Sequence, residues 1–251
     1  MNHQMPAPRR SLVVLAVFAG LGIAVLCSLG AWQLQRLAEK AAFLQRLSSQ
    51  QGATPVALPA EAAWGTLDLD AADLTRVALA GSWLPDAHAT VRVVMPEPQP
   101  NERKLGGFGR YLVTAVRLDS GGIVLVNRGF APEGRYAAVP PPSGRAELTG
   151  ILRKPEVPNA FTPAADVARR DFHMRAPAPM AAALNLSVAP FMVEAERSSD
   201  ALTPPVGVDF KELVARVPNN HLQYAFTWFG LAATLLAVFL VFARSLLRQN
   251  G

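Results

Sequence analysis

His221 is the side chain whose setting most invites chemistry. It follows Pro218-Asn219-Asn220, and either asparagine can cap the helix that the next residues predict. An imidazole at a helix N-terminus meets the positive end of the dipole, which favours the neutral ring that coordinates metals. Tyr224 and Trp228 follow at i+3 and i+7, on the same helical face. An aromatic-flanked histidine at a membrane surface can serve as an axial ligand for haem. The same residues also make ordinary interfacial anchors, and on their own they leave both readings open. The other histidines offer less. His3 lies in a tail, and His88 in a predicted turn beside Pro85 and Asp86. His173 has Met174 as a soft neighbour, but adjacent residues on a strand point to opposite faces.

Enzyme signatures are absent. The chain has no Gly-x-Ser-x-Gly, Walker A, His-Glu-x-x-His or Rossmann fingerprint, and its carboxylates form no obvious pair. Gly106-Gly107-Phe108-Gly109 follows Glu102-Arg103-Lys104 but leads into a strand, so it reads as a turn and not as a phosphate loop. The single cysteine excludes an intramolecular disulfide framework and paired-thiolate metal delivery. In Val126-Asn127-Arg128-Gly129-Phe130, polar residues end an apolar strand. Asn127 and Arg128 either cap that strand and its turn or face a partner.

Two apolar runs must position His221. Ser11 to Gln35 gives 25 residues without a formal charge, and Leu222 to Ala243 gives 22. At about 1.5 Å per residue, either spans a hydrocarbon core of ~30 Å. Trp32 marks the end of the first run, and Tyr224 and Trp228 the start of the second, as interfacial belts prefer. The first run is too long for a signal-peptide core, so a retained helix is expected. If the two helices pack together, Gln33 or Arg36 meets Gln223 or the propionates of a porphyrin; Arg36 also serves simply as a headgroup marker.

The net charge of +5 belongs to the ends. Arg9, Arg10, Arg244 and Arg248 lie in the tails, and residues 36–220 are nearly neutral, which argues against a nucleic-acid partner. Residues 1–10 and 244–251 are expected as cytoplasmic tails, and 11–35 and 221–243 as transmembrane helices. Residues 36–220 are then a periplasmic domain on a bacterial inner membrane, the short leader leaving no room for a mitochondrial presequence.

That middle segment reads mostly as strands. Residues 36–51 continue the first helix, with Leu37, Ala41, Leu44 and Leu47 at helical spacing. Short β-rich runs follow at Arg76–Trp83, Thr90–Met95, Gly109–Arg117, Ile123–Asn127 and Ala146–Lys154, with Pro190–Glu196 as a further candidate. Asp119-Ser120-Gly121-Gly122 signals a hairpin. Ala164–Arg170 and Pro177–Leu186 are expected as short helices. The expected fold is thus an α+β membrane protein: two transmembrane helices flank a mostly antiparallel, barrel- or sandwich-like extramembrane domain.

Several segments resemble the Surfeit-locus protein one family. They are Gly30-Ala31-Trp32-Gln33-Leu34-Gln35-Arg36, Leu125-Val126-Asn127-Arg128-Gly129, Leu152-Arg153-Lys154-Pro155-Glu156, Phe161-Thr162-Pro163 and, most specifically, Asn219 through Phe229. The resemblance runs from about Gly30 to Ala232. It implies an assembly factor for haem-copper terminal oxidases, chiefly cytochrome c oxidase, with the catalytic subunit and membrane lipid as partners. It also implies haem a as a transient cofactor, with His221 as the suspected ligand. Trp32, Gln33, Arg36, Asn127, Arg128, Gly129, Tyr224 and Trp228 are the other motif positions. Two departures stand out: Phe130 replaces a tryptophan frequent in the family, and Asp171-Phe172-His173-Met174-Arg175 lacks an expected one. A scaffold that stabilises the oxidase subunit without touching haem is the alternative expectation, and a membrane-anchored enzyme of unknown chemistry a third.

Overall fold

The computed structural model describes residues 7–96, 105–197, 204–209 and 220–249. Its helices among these are α1 (Ala7–Gln51), α2 (Leu69–Ala72), α3 (Pro177–Leu184) and α4 (His221–Gln249). Its strands are β1 (Val56–Ala57), β2 (Arg76–Met95), β3 (Gly107–Leu118), β4 (Ile123–Pro132), β5 (Arg145–Arg153), β6 (Asp171–Phe172) and β7 (Met192–Ala195). Residues 46–216 form one compact unit, and residues 1–45 with 217–251 form another.

The helical unit consists of α1 and α4, both long and apolar enough to cross a membrane. Small residues line their contact. Gly22 faces Leu235, Gly30 faces the ring of Phe229, and Ala225 and Ala232 are buried. Between apolar helices in lipid, close backbone approach replaces the hydrophobic effect as the source of attraction, and glycine and alanine permit it. Rising numbers on α1 meet falling numbers on α4, so the pair is antiparallel. Asn220 stands just before α4, and its carbonyl accepts the first helical bond, from Tyr224 N–H at 3.2 Å. Asn219 lies outside the described residues.

The other unit is a closed β ring. β2 pairs with β3, β3 with β4, β4 with β7, β7 with β5, and β5 returns to β2. Closure is possible because β2 is 20 residues long: Arg76–Ser82 pairs with β5, and Gly81–Met95 with β3. The β4–β7 pairing is parallel, as are the short additions of β1 and β6 to β2; the rest are antiparallel. The mostly antiparallel, barrel-like domain expected from the sequence is what forms.

Alternating residues of the strands feed two cores, as the period of two requires. Val77, Leu79, Val116, Val124, Val126, Leu152 and Val193 fill the interior with Phe191, and Trp64 stacks edge-on against Phe191 at 5.8 Å. Ala89, Val91, Val113, Leu125 and Met192 make an outer core, covered by Phe172 of β6 and Met180 of α3. With both faces covered, Ile123–Asn127 is buried throughout, which explains its unbroken apolar run.

Three expectations need correction. Arg76–Trp83 and Thr90–Met95 are one strand, because Pro85-Asp86-Ala87 forms a bulge between the Leu84 and His88 pairings and not a turn. His88 accordingly sits in β2. Ala164–Arg170 is not helical: Asp166 bridges to Asp171, and the chain turns through Arg170 at φ 54°. The Asn-Arg-Gly motif does not end a strand, since β4 runs on to Pro132.

Candidate functional site

Two groupings of motif residues emerge, one in each unit. In the helical unit, α1 and α4 bring Gln33 and His221 together. Gln33 is buried, and its Oε1 lies 2.8 Å from His221 Nδ1. A carbonyl oxygen can only accept, so Nδ1 carries the proton and donates. In the neutral ring, Nε2 then holds the lone pair. This is the arrangement of a metal-ligating histidine whose second ring nitrogen is held by a neighbouring oxygen. The expectation that Gln33 or Arg36 meets Gln223 is replaced by this contact. Arg36 instead pairs with Glu39, one turn along α1, at 2.6 Å on the exposed surface. Trp32 and Tyr224 are exposed and Trp228 is partly so, as residues that contact lipid or a ligand must be.

Among the described residues no three His, Cys, Asp or Glu side chains gather as a metal site. What these residues offer is one oriented imidazole, and that fits axial ligation of a haem, in which the porphyrin supplies the remaining nitrogens.

In the β unit, the motif residues build a bulge. Tyr111 pairs with Phe130 and Val113 with Asn127, so Arg128 and Gly129 together oppose Leu112. Asn127 is buried, and its Oδ1 accepts from Gly129 N–H at 3.0 Å, pinning the loop of extra chain. Gly129 has φ 124°, and a Cβ there would come within 2.2 Å of the Val206 carbonyl oxygen. Only glycine accepts both the angle and the approach. Phe130 is buried edge-on to Tyr111 at 6.5 Å, and its ring lies over Gly109. The bulge turns Arg128 off the ladder, where its Nη1 donates to the Pro140 carbonyl at 3.2 Å.

The sequence reading missed the ionic partners. Asp171 is buried and accepts from Thr90 Oγ1 at 3.0 Å, from Arg92 Nε at 2.7 Å, and from Arg110. Burial alone pushes its carboxyl up, but hydrogen bonds from Arg110, Arg92 and Thr90 outweigh that and hold it below the usual carboxylate range. Arg175 bridges Glu156 and the buried Glu194. Burial opposes its charge, yet the two carboxylates raise it further above its ordinary value. Asp171 and Arg175 bracket the segment where a tryptophan was expected, and ion pairs anchor both of its ends. Nothing in their local sequence signals it, because their partners come from distant strands.

The matches to known proteins span both groupings. The model of the SURF1 family matches residues 20–233. The chain belongs to the SURF1 family. A SURF1-like protein of Monosiga brevicollis is 31% identical over 231 residues, covering 89% of this chain and 85% of that one. A SURF1-like protein of Rickettsia bellii is 29% identical over 240 residues, covering 94% and 92%. Surfeit locus protein 1 of Homo sapiens is 30% identical over 220 residues, covering 82% and 69%. The SURF1 family match thus includes Gln33, the Asn127-Arg128-Gly129 bulge and His221.

Proposed function

We propose that this SURF1-family chain is a non-enzymatic assembly factor for a haem-copper terminal oxidase, holding haem a at the membrane surface for the catalytic subunit. The observation that carries the reading is the His221–Gln33 hydrogen bond, which supports an imidazole of fixed tautomer and orientation at the start of α4. His221 would hold the cofactor through Nε2. Gln33 fixes the ring and keeps the proton on Nδ1. Trp32 beside Gln33 and Tyr224 one turn from His221 offer aromatic faces near the ring, and Trp228 follows about two turns along α4. Haem a, once in the oxidase, supplies its electron-transfer and oxygen chemistry. The membrane is a bacterial inner membrane, with α1 and α4 as its two spans and the β unit in the periplasm.

The test is spectroscopic. Full-length protein purified in detergent from cells that make haem a should carry a Soret band, and His221→Ala should lose it. An undiminished band in that variant removes His221 as the ligand.

One observation favours the scaffold reading instead. Val94 and Phe108, directly opposed on β2 and β3, leave 63% and 75% of their surface exposed. Such a pair suits contact with a partner protein. Co-purification with the oxidase subunit from cells unable to make haem a would support the scaffold, and its absence would favour the haem-holding role.

A further inference from the structure

The bulge that displaces Arg128 opens it into a cavity of about 370 Å³ on the β unit. Five arginines line this cavity, Arg92, Arg110, Arg128, Arg169 and Arg170, against the single carboxylate of Asp171. Two further carboxylates reach them from outside the lining: Glu133 bonds Arg110 at 3.2 Å, and Asp166 lies 3.7 Å from Arg169. Asp171 is already shared by Arg92 and Arg110. Arg170 donates to the Asp86 carbonyl at 2.7 Å, and Arg128 to that of Pro140. Among the described residues, Arg128 and Arg170 therefore stand without a carboxylate of their own.

Among the described residues, Nε of Arg128 and Nε of Arg110 are both buried without a hydrogen-bond partner. Arg128 is half-buried, and a guanidinium whose Nε is shut away from water with its donor open is costly; an arginine fork is also the group best shaped to take an oxyanion. Burial alone pulls Arg128 down to about 10. The Arg110 guanidinium stacks over the Tyr136 ring at 4.3 Å, which braces it. Val139, Pro140 and Pro141 give the cavity an apolar flank.

We propose that this cavity binds an oxyanion group, a phosphate or carboxylate of a small molecule or of a lipid headgroup, with Arg128 as its principal ligand. The site uses no residue of α1 or α4, so it stands or falls independently of the haem-holding reading.

The experiment is a titration of the full-length protein in neutral detergent micelles with inorganic phosphate, followed by ³¹P line broadening, with succinate as competitor. Saturable broadening that succinate reverses is expected. Arg128→Gln should weaken binding by about tenfold or more, the loss of a charge-assisted fork. Arg145→Gln, a charge-matched change at an exposed arginine, should leave it intact. Arg128→Lys keeps the charge without the fork and should bind several-fold more weakly, which keeps the test open if Arg128→Gln fails to fold. Phosphatidylglycerol added to the micelles distinguishes the sources: displacement of phosphate assigns the site to a headgroup, and no displacement to a soluble oxyanion. Absence of saturable phosphate binding to the parent protein, or equal binding by Arg128→Gln, would overturn the proposal. So would an equal loss in Arg145→Gln.

Discussion

Phe229 lays its ring against Gly30 so closely that a Cβ on Gly30 would stand 2.7 Å from Cζ. One turn along α1, Gln33 reaches His221. The small residue thus sets the helix separation on which the hydrogen bond depends. Gly30→Val is expected to overpack the α1–α4 contact and destabilise it by about 1–3 kcal/mol. Thermal unfolding of the detergent-solubilised chain, followed by helical circular dichroism, reads this. An unchanged midpoint would mean that Phe229 simply rotates away.

Gln33→Leu separates orientation from ligation. It keeps the His221 imidazole and a similar side-chain volume but removes the acceptor at Nδ1. Haem retention in the purified protein should fall by about 10–100-fold, the usual cost of losing the partner of a metal-bound histidine. Retention equal to the parent would show that the ring needs no such support.

Gly129→Ala should damage the β unit far more than a methyl group ordinarily does. The added carbon meets the Val206 carbonyl, and the backbone angle is strained for any residue with a Cβ. A loss of about 2–4 kcal/mol is expected, readable as a shift in the urea midpoint without a change in slope. Gly134→Ala, at a position where a Cβ meets open space, is the matched control.

The β unit should also be acid-sensitive. The folded-state affinities of Asp171 and Glu156 for protons are lowered, by Arg110, Arg92 and Thr90 and by Arg175 respectively, against the opposing effect of burial. The unfolded chain then binds more protons, so the stabilisation is complete above about pH 5 and is lost as the pH falls through the lowered folded values. Asp171→Asn should abolish its share of this acid dependence. It should also cost roughly 3 kcal/mol or more at neutral pH, because Arg110 loses its buried carboxylate and keeps only the exposed Glu133.

How much of this was legible beforehand follows from where each signal lies along the chain. The Asp119–Gly122 hairpin was legible because its two glycines, at φ 95° and 77°, state the turn locally. Pro177–Leu184 was legible through proline at its start, and Asn185 closes it in the left-handed conformation. The Pro85-Asp86 bulge was misread because the same residues open a turn, and only the partner strand β3 distinguishes the two. The same holds at Arg128: a bulge is a mismatch between two strands and has no signature in one of them. Gln33 was singled out, but with Gln223 or a porphyrin propionate as its partner and not His221, since helix spacing fixes a face and not the reach of a side chain. The parallel β4–β7 pairing joins distant segments and had no local cue at all.

The return of β5 to β2 has a consequence for recognition. Among the described residues the ring closes through β5 and the first half of β2, so the backbone N–H and C=O groups there are already taken on both sides and cannot be stitched to an added strand. A protein that docks where the ring is closed must read its side chains, its cavities or its connecting loops. Its specificity is then written in residues that substitution can erase one at a time.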